Sequence, residues 1–241
     1  LLHSNLYNDE FDRMIQLIQS NLIFRLVLHH ITIPAYIMTR ITKALAKNHS
    51  IIEIDVTDSA LWLDALFCKS IIQNDTLTSL IMNNVFLSDN GPSEIAQLIH
   101  CNSTITHISI RENHISDITL LGRAISHNQS LLTLDISDNC IKDSCPLADG
   151  LQHNSTLTSL TMHNNLLTHH SIVKLLQAAM INLTLTHLDV SSNNCTIMCS
   201  EIANILKENT TLKKLVMSDN DTYNILPILG VIEQDTVLSL I

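Results

Sequence analysis

Cysteine and histidine are the residue types in this sequence that could bind a metal ion or supply a nucleophile and a base. The six cysteines lie at positions 68, 101, 140, 145, 195 and 199. None of them forms a Cys-x-x-Cys pair, and Cys195 and Cys199 lack two further ligands at comparable spacing. The pattern therefore indicates structural thiols rather than a zinc site. Because unpaired cysteines are typical of reducing compartments, we expect six free thiols and a cytoplasmic location.

The thirteen histidines suggest a metal site or a pH sensor, especially the pairs His29/His30 and His169/His170. The alternative is surface histidine, because adjacent residues of a strand point to opposite faces and a helix end favours partial positive charge. The sequence favours this alternative. Serine, histidine and aspartate share no motif, and there is no Gly-rich phosphate loop, so we predict neither enzyme activity nor a cofactor in this segment.

Charge and composition narrow the choice of partner. The net charge is −10 and the 13 Lys and Arg residues are scattered, which argues against a nucleic-acid partner. No apolar run approaches the roughly 20 residues that span a bilayer, so we predict no membrane insertion. Hydrophobic residues make up 46% of the chain but aromatic residues only 3%, which indicates a core of stacked aliphatic side chains.

An internal repeat determines the elements that hold these residues. The pattern is L-x-x-L-x-L-x-x-N-x-L, where L is any aliphatic residue, and it is clearest at Leu131, Leu134, Ile136, Asn139 and Ile141. Copies begin at positions 23, 51, 77, 105, 131, 157, 185 and 212, with a partial copy at 237, so the period is 25 to 28 residues. The pattern predicts a single domain over residues 1–241 with about eight full repeats and partial repeats at both ends.

The second half of each repeat predicts a helix that faces inward. Aliphatic or aromatic residues ten and six positions before the next copy are one helical turn apart, as in Leu121 with Ile125 and Ile202 with Leu206. Seven copies carry asparagine three residues before the next copy, where we expect a left-handed conformation to end the helix. These helix-end asparagines are Asn48, Asn74, Asn102, Asn128, Asn154, Asn182 and Asn209. Each also begins an Asn-x-Ser/Thr sequon, and glycosylation in a secretory compartment is the alternative interpretation.

The strand motif, the period and the outer helix resemble the ribonuclease-inhibitor-like class of leucine-rich repeats over almost the whole chain. That class includes the sensing arms of NOD-like receptors, and it is similar to repeats in effectors that intracellular bacteria inject into hosts. The resemblance implies an α/β horseshoe solenoid with a parallel β-sheet on the concave face and α-helices on the convex face. It also implies a structural role for the asparagine at the end of the strand motif, which is present in five copies. The first three copies have Ile31, Ser59 and Val85 at this position. The five strand-end asparagines are Asn113, Asn139, Asn165, Asn193 and Asn220.

Side chains between the aliphatic strand positions are predicted to face a partner, because they have no packing role. The predicted partner-binding residues are Glu53, Asp55, Asp58, Arg111, Glu112, Asp135, Asp138, His163, His187, Asp189 and Lys214. With their neighbours they give eight acids against four bases, with the acids in the middle. We therefore expect a protein partner with a basic surface. A solvated face without a ligand is the alternative.

Two classes of function remain open at this stage. The first is a protein-interaction module, including the host-targeting domain of a bacterial effector acting in the host cytosol or an innate-immune sensor or inhibitor. The second is a substrate-recognition arm for an enzyme domain outside this segment. Leu2, Asn5 and Tyr7 fit a preceding strand and Val237, Leu240 and Ile241 fit a following one, so we expect a fragment of a longer protein.

Overall fold

A computed structural model describes residues 2–61, 65–85, 87, 90–232 and 239–240. Within these ranges each repeat contributes a short strand and a helix. The strands are β1 Arg25–Val27, β2 Thr32–Ile33, β3 Glu53–Asp55, β4 Ala60–Leu61, β5 Ser79–Ile81, β6 His107–Ser109, β7 Thr133–Asp135, β8 Ser159–Thr161, β9 His187–Asp189, β10 Thr196–Met198, β11 Lys214–Val216, β12 Asp221–Tyr223 and β13 Ser239–Leu240. The helices are α1 Leu2–Ser20, α2 Ala35–Leu45, α3 Ala65–Ile72, α4 Gly91–Cys101, α5 Thr119–His127, α6 Cys145–Leu151, α7 His169–Ile181, α8 Cys199–Leu206 and α9 Leu226–Ile232.

The main sheet of the described residues has nine parallel strands in the order β1-β3-β5-β6-β7-β8-β9-β11-β13. The register places equivalent residues side by side, so Leu134 pairs with Ile108 on one side and Leu160 on the other. Two smaller parallel pairs, β2 with β4 and β10 with β12, lie outside it. Neighbouring strands are about 4.8 Å apart whereas packed helices need about 8–10 Å, so the sheet forms the shorter, concave side. This is the predicted α/β solenoid.

The core is a continuous stack of aliphatic side chains between sheet and helices. The middle residue of each full-length sheet strand points inward, and Leu134 and Leu160 are at most 1% exposed. The predicted helix pairs face them, with Leu121, Ile125, Ile202 and Leu206 all buried. Full burial of such a side chain contributes about 1.5–3 kcal/mol, so the stacking of repeats is the main source of stability.

The two ends of the described chain differ in how they match the sequence pattern. Leu2, Asn5 and Tyr7 lie in helix α1, so the prediction of a preceding strand is wrong. Phe11, Ile15 and Ile18 in that helix are buried at a spacing of three and four residues, which is helical. At the other end Leu240 lies in β13 and pairs with Leu215, as predicted. Val237 and Ile241 lie outside the described residues.

The helix-end asparagines do not adopt the predicted left-handed conformation. Asn102, Asn128 and Asn182 have φ between −89° and −71° with ψ between 132° and 138°, which is extended backbone. Their side chains are buried and join consecutive repeats instead. In Asn128, Oδ1 accepts from the backbone N–H of Ser130 and Leu131 at 3.0 and 2.7 Å, and Nδ2 donates to the carbonyl oxygens of Ile99 and Asn102 at 2.7 and 3.2 Å.

This bonding explains the recurring sequon without glycosylation. Asn48, Asn74, Asn102, Asn128, Asn154 and Asn182 are at most 6% exposed, and the Nδ2 of each donates to a carbonyl of the preceding repeat. The Ser or Thr two residues later donates its own N–H to the asparagine Oδ1 at all six of them, for example Thr156 to Asn154 at 3.0 Å. A glycan on these amides would displace the bonds that hold neighbouring repeats together.

The strand-end asparagines form a second ladder, which confirms the structural role implied by the resemblance. Nδ2 of Asn139 donates to the carbonyl oxygens of Ile110, Ile136 and Ser137 at 3.0–3.1 Å, and Oδ1 accepts from the N–H of Asn113 and Ile115. In the second copy Ser59 takes over part of this role, since its hydroxyl donates to the Leu28 carbonyl at 2.6 Å and accepts from the Ile31 N–H at 3.2 Å. The ladder is therefore reduced, but not lost, in the early repeats.

Candidate partner-binding face

The first and third residues of each sheet strand point away from the helices, because side chains alternate along a strand. We call the surface they form, together with the turn that follows each strand, the sheet face. The first residues are Arg25, Glu53, Ser79, His107, Thr133, Ser159, His187 and Lys214. The third residues are Val27, Asp55, Ile81, Ser109, Asp135, Thr161, Asp189 and Val216. All of them are partly or fully exposed, and none belongs to the buried core.

The predicted partner-binding residues occupy two zones of the sheet face. Glu53, Asp55, Asp135, His187, Asp189 and Lys214 lie on the strands. Asp58, Arg111, Glu112, Asp138 and His163 lie in the turns that follow. The structure therefore brings all eleven to one side of the solenoid, but as a band along it rather than as a compact site.

One position of every repeat in the turns has a left-handed backbone, with φ between 49° and 57°. These left-handed positions are His30, Asp58, Asn84, Glu112, Asp138, Asn164, Ser192 and Asp219. The N–H of each of the first seven donates to a carbonyl oxygen in the next repeat, for example Asp138 to His163 at 3.0 Å. The left-handed backbone at this position sets the direction in which the charged side chains of the turns project. Sequence reasoning missed it because no glycine marks the position.

Asp55 is held firmly by its neighbours. Its Oδ1 accepts from the Thr57 N–H at 3.1 Å and the Thr57 hydroxyl at 2.7 Å, and its Oδ2 lies 2.9 Å from Nε2 of His29. Partial burial acts to raise the pKa of Asp55, but the bonds from Thr57 and His29 outweigh it and hold the pKa below its ordinary value. The carboxylate is therefore ionised and fixed in orientation.

Asp138 is the centre of a second charged group. Arg111 donates to its Oδ2 from Nε at 3.1 Å and from Nη2 at 2.6 Å, and Asn164 donates to its Oδ1 at 2.7 Å. Nε2 of His163 is 3.6 Å from Oδ2. Burial acts to raise the pKa of Asp138, but the bonds from Asn164 and Arg111 lower it overall. The bond to Asp138 also raises the pKa of Arg111, so both groups are charged.

The carboxylates in the middle of the sheet face are therefore less available to a partner than a count of charges indicates. Arg25 pairs with Glu53, and Asp58 accepts from Nδ2 of Asn84 at 2.8 Å. These partners are 26 to 28 residues apart, which is one repeat, so they stand side by side in the sheet. The repeat period could have predicted that these residues are neighbours, but the sequence prediction treated each carboxylate as a free charge.

His29 and His30 both lie on the exposed side, so the expectation that such a pair points to opposite faces is wrong here. Strand β1 ends at Val27, and His30 is at a left-handed position. Their ring centroids are 6.4 Å apart, and the nearest acids are Asp55 and Asp58 of the next repeat. The second pair, His169 and His170, opens helix α7 rather than a strand.

Other chemistry has little geometric basis within the described ranges. No group of three or more His, Cys, Asp or Glu side chains there is arranged to hold a metal ion. None of the six cysteines, all of which lie in the described ranges, forms a disulfide, and burial raises the pKa of Cys195 and Cys199. A cleft of about 460 Å³ lies off the sheet face, among residues that include Pro92, His114 and Asp117. None of the described helices is both long and apolar enough to cross a membrane.

The repeated strand, turn and helix, the parallel sheet and the asparagine ladders define an α/β solenoid of the leucine-rich-repeat type. Comparison with protein-family models finds no match, and comparison with curated protein sequences finds none either. Among solved structures the chain is similar to one described as "Leiomodin-1 Actin-Binding Site 2 (ABS2)", at 22% sequence identity and a TM-score of 0.48. The match covers 61% of this chain and 89% of that one. The site is therefore interpreted from its own residues.

Proposed function

We propose that this chain is a protein-interaction module that binds a macromolecular partner on the sheet face. The observation that carries the proposal is the row of partly or fully exposed side chains that project from consecutive strands, with a polar or charged residue at the first position of each full strand and no described element packed over them. Nine strands at about 4.8 Å spacing extend about 38 Å, which matches a protein surface better than a small molecule.

The charge of the sheet face favours a partner with basic groups. The band carries eight carboxylates and four Lys and Arg residues, and once Arg25 pairs with Glu53 and Arg111 with Asp138, six carboxylates remain against two lysines. Because the carboxylates of Asp55 and Asp138 are fixed by neighbours, they need little reordering to meet a cation. Exposed aromatic side chains on the described part of this face are scarce, with Phe24 at its edge, so electrostatics contribute more than aromatic anchors.

The more specific assignments belong to this proposal. The period and the full outer helices favour the ribonuclease-inhibitor-like class, and the role of an effector or immune sensor follows only from that resemblance. We also propose binding without catalysis, since the sequence has no catalytic motif, and a reducing cytoplasmic location, since the six cysteines of the described ranges form no disulfide. The alternative, a recognition arm for an enzyme domain outside this segment, uses the same face and is distinguished by the full-length sequence.

Site-specific photocrosslinking tests the face directly. A photoreactive residue replaces Thr133 on strand β7 in one variant and Gln97 on helix α4 in the other, since both positions are at least partly exposed. We expect one protein from source-cell extract to crosslink at position 133 and not at position 97, and salt to weaken the crosslink. Crosslinking of the same protein at position 97 alone would place binding on the helices and contradict the proposal.

A further inference from the structure

One strand of the sheet face has a pattern that its neighbours lack. Ser159 and Thr161 of β8 are small and partly exposed, and they lie between Asp135 of β7 and Asp189 of β9. Thr161 is in register with both aspartates. The carboxylates of Asp135 and Asp189 therefore lie on either side of the short hydroxyl side chains of β8. Their backbones are two strand spacings apart, which is about 9.6 Å. We call this place the β8 slot.

The two carboxylates of the β8 slot have fewer close cationic partners than the other carboxylates on the strands. Asp189 has no Lys, Arg or His nitrogen within 4.0 Å among the described residues, and only Ser191 donates to it, to Oδ1 from its N–H at 3.0 Å and its hydroxyl at 2.6 Å. Asp135 has one long contact with a cation, since its Oδ2 is 4.0 Å from Nε of Arg111. The short bonds of Arg111 go to Asp138 instead. Both therefore keep a carboxylate oxygen open towards solvent.

A buried hydroxyl beside Asp135 provides an independent sign of an incomplete site. Thr57 and Ser191 each donate a hydroxyl to the aspartate two residues earlier, but the equivalent Ser137 donates only its backbone N–H to Asp135, at 3.0 Å. Ser137 is 0% exposed, and its Oγ has no hydrogen-bond partner in the described structure. An unsatisfied buried hydroxyl costs about 1–3 kcal/mol, so the end of β7 is less completely bonded than the equivalent strand ends at Thr57 and Ser191.

We propose that the β8 slot binds an arginine side chain of the partner between Asp135 and Asp189. The inference rests on the proposed sheet-face function and specifies its ligand chemistry. Side chains stand roughly perpendicular to a sheet, so the two carboxylates stay too far apart for a shared Ca²⁺, whose ligands lie at about 2.3–2.6 Å. A guanidinium that donates one charge-assisted bond to each carboxylate joins two oxygens about 8 Å apart. An ammonium that donates to both sides joins oxygens only about 5.6 Å apart.

Charges around the slot are compatible with a guest cation. His163 is turned towards Asp138, and Nδ1 of His187 is 2.8 Å from the Thr186 hydroxyl rather than close to Asp189. Lys214 on the next strand makes no ion pair with Asp189 among the described contacts. At Asp189 the guest arginine therefore has no described ion pair to displace, and at Asp135 it meets only the long 4.0 Å contact from Arg111, whose short bonds go to Asp138.

A peptide library tests the slot with a defined probe. Immobilised peptides carry Arg, Lys, Gln or Glu at one central position in an otherwise random sequence, and the whole chain is applied to them. We expect Arg to be enriched over Lys at least threefold with the native chain. Asp135→Asn/Asp189→Asn should remove the enrichment, whereas Asp149→Asn/Glu208→Gln, at exposed positions away from the sheet face and with the same charge change, should keep it.

A second variant fills the slot from within. Thr161→Arg places a guanidinium between the two aspartates and should abolish arginine enrichment while circular dichroism shows the native spectrum; Gln152→Arg, exposed at the end of α6, is the matched control. Equal enrichment in the native chain and Asp135→Asn/Asp189→Asn, or no enrichment with the native chain, would overturn the slot. If peptides still bind and Thr133→Trp removes them without any preference for Arg, the sheet-face function stands and only the slot is wrong.

Discussion

Gly150 of α6 lies so close to Gly122 of α5 that a Cβ on Gly150 would overlap the carbonyl oxygen of Gly122. A Cβ on Gly122 would in turn overlap the carbonyl oxygen of Pro146. Backbone atoms cannot move away as a flexible side chain can. The two glycines therefore allow a close contact between α5 and α6 beneath the centre of the sheet face, and the positions of strands β7 and β8 depend on it.

Alanine at position 150 is expected to destabilise the chain by about 3 kcal/mol, because overpacking against backbone forces the two helices apart. Gly230→Ala is the matched control, since a Cβ there meets nothing within 4 Å and helix propensity favours alanine by about 0.5–1 kcal/mol. Urea unfolding followed by circular dichroism measures both changes. Equal stability of the two variants would show that the helices do not pack this closely.

The buried asparagine ladder gives a second prediction. Asn154 donates to the carbonyl oxygens of Ile125 and Asn128 and accepts from the N–H of Thr156 and Leu157, at 2.7–3.0 Å. Asn154→Ala leaves these buried groups unpaired and should cost about 2–4 kcal/mol. Asn204→Ala, on the exposed side of α8, should change stability by less than about 0.5 kcal/mol. A small effect at Asn154, measured by the same unfolding experiment, would mean that the ladder does not join the repeats.

The period predicted most of the fold, and its physical basis is simple. Equivalent residues one repeat apart stand in register, so the buried middle residues such as Leu134 and the facing helix residues such as Leu121 could be identified directly. Helix α1 was missed because the short spacing of Leu2, Asn5 and Tyr7 fits a strand frame as well as a helix. The orientation of the acids could not be derived, since it depends on a left-handed residue that is His, Asp, Asn, Glu or Ser in different copies.

The left-handed position gives a third prediction, at Ser192, where φ is 53°. Ser192→Val should destabilise the chain by about 1–2 kcal/mol, because a β-branched residue is strained in this conformation. Ser192→Gly should stabilise it by up to about 0.5 kcal/mol, since glycine adopts this conformation freely. Ser218→Val, at the exposed position one residue before the left-handed Asp219, is the control and should have little effect. Thermal unfolding distinguishes the three, and a loss of stability with glycine would contradict the assigned backbone.

The Asp138 group gives a prediction about pH. The pKa of Asp138 in the folded chain is lowered below its ordinary value; burial opposes this shift, and the bonds from Asn164 and Arg111 produce it. A lowered folded-state pKa means that the group adds stability above the unfolded-state pKa, and that this stability is lost as pH falls through the folded-state pKa. Asp138→Asn should therefore destabilise the chain by roughly 1 kcal/mol at pH 7, and this difference from the native chain should shrink as pH falls through the folded-state pKa of Asp138.

Unfolding in urea at a series of pH values from 2.5 to 7 measures this difference. Asn164→Ala removes the 2.7 Å donor to Asp138 Oδ1 but keeps Arg111, so it should show a smaller change over the same pH range. Arg111→Gln removes the other donor and should behave similarly. Because these bonds act on one carboxylate, Asn164→Ala should have little further effect in the Asp138→Asn background. A difference between Asp138→Asn and the native chain that stays constant down to pH 2.5 would contradict the ionised, hydrogen-bonded carboxylate at the centre of the sheet face.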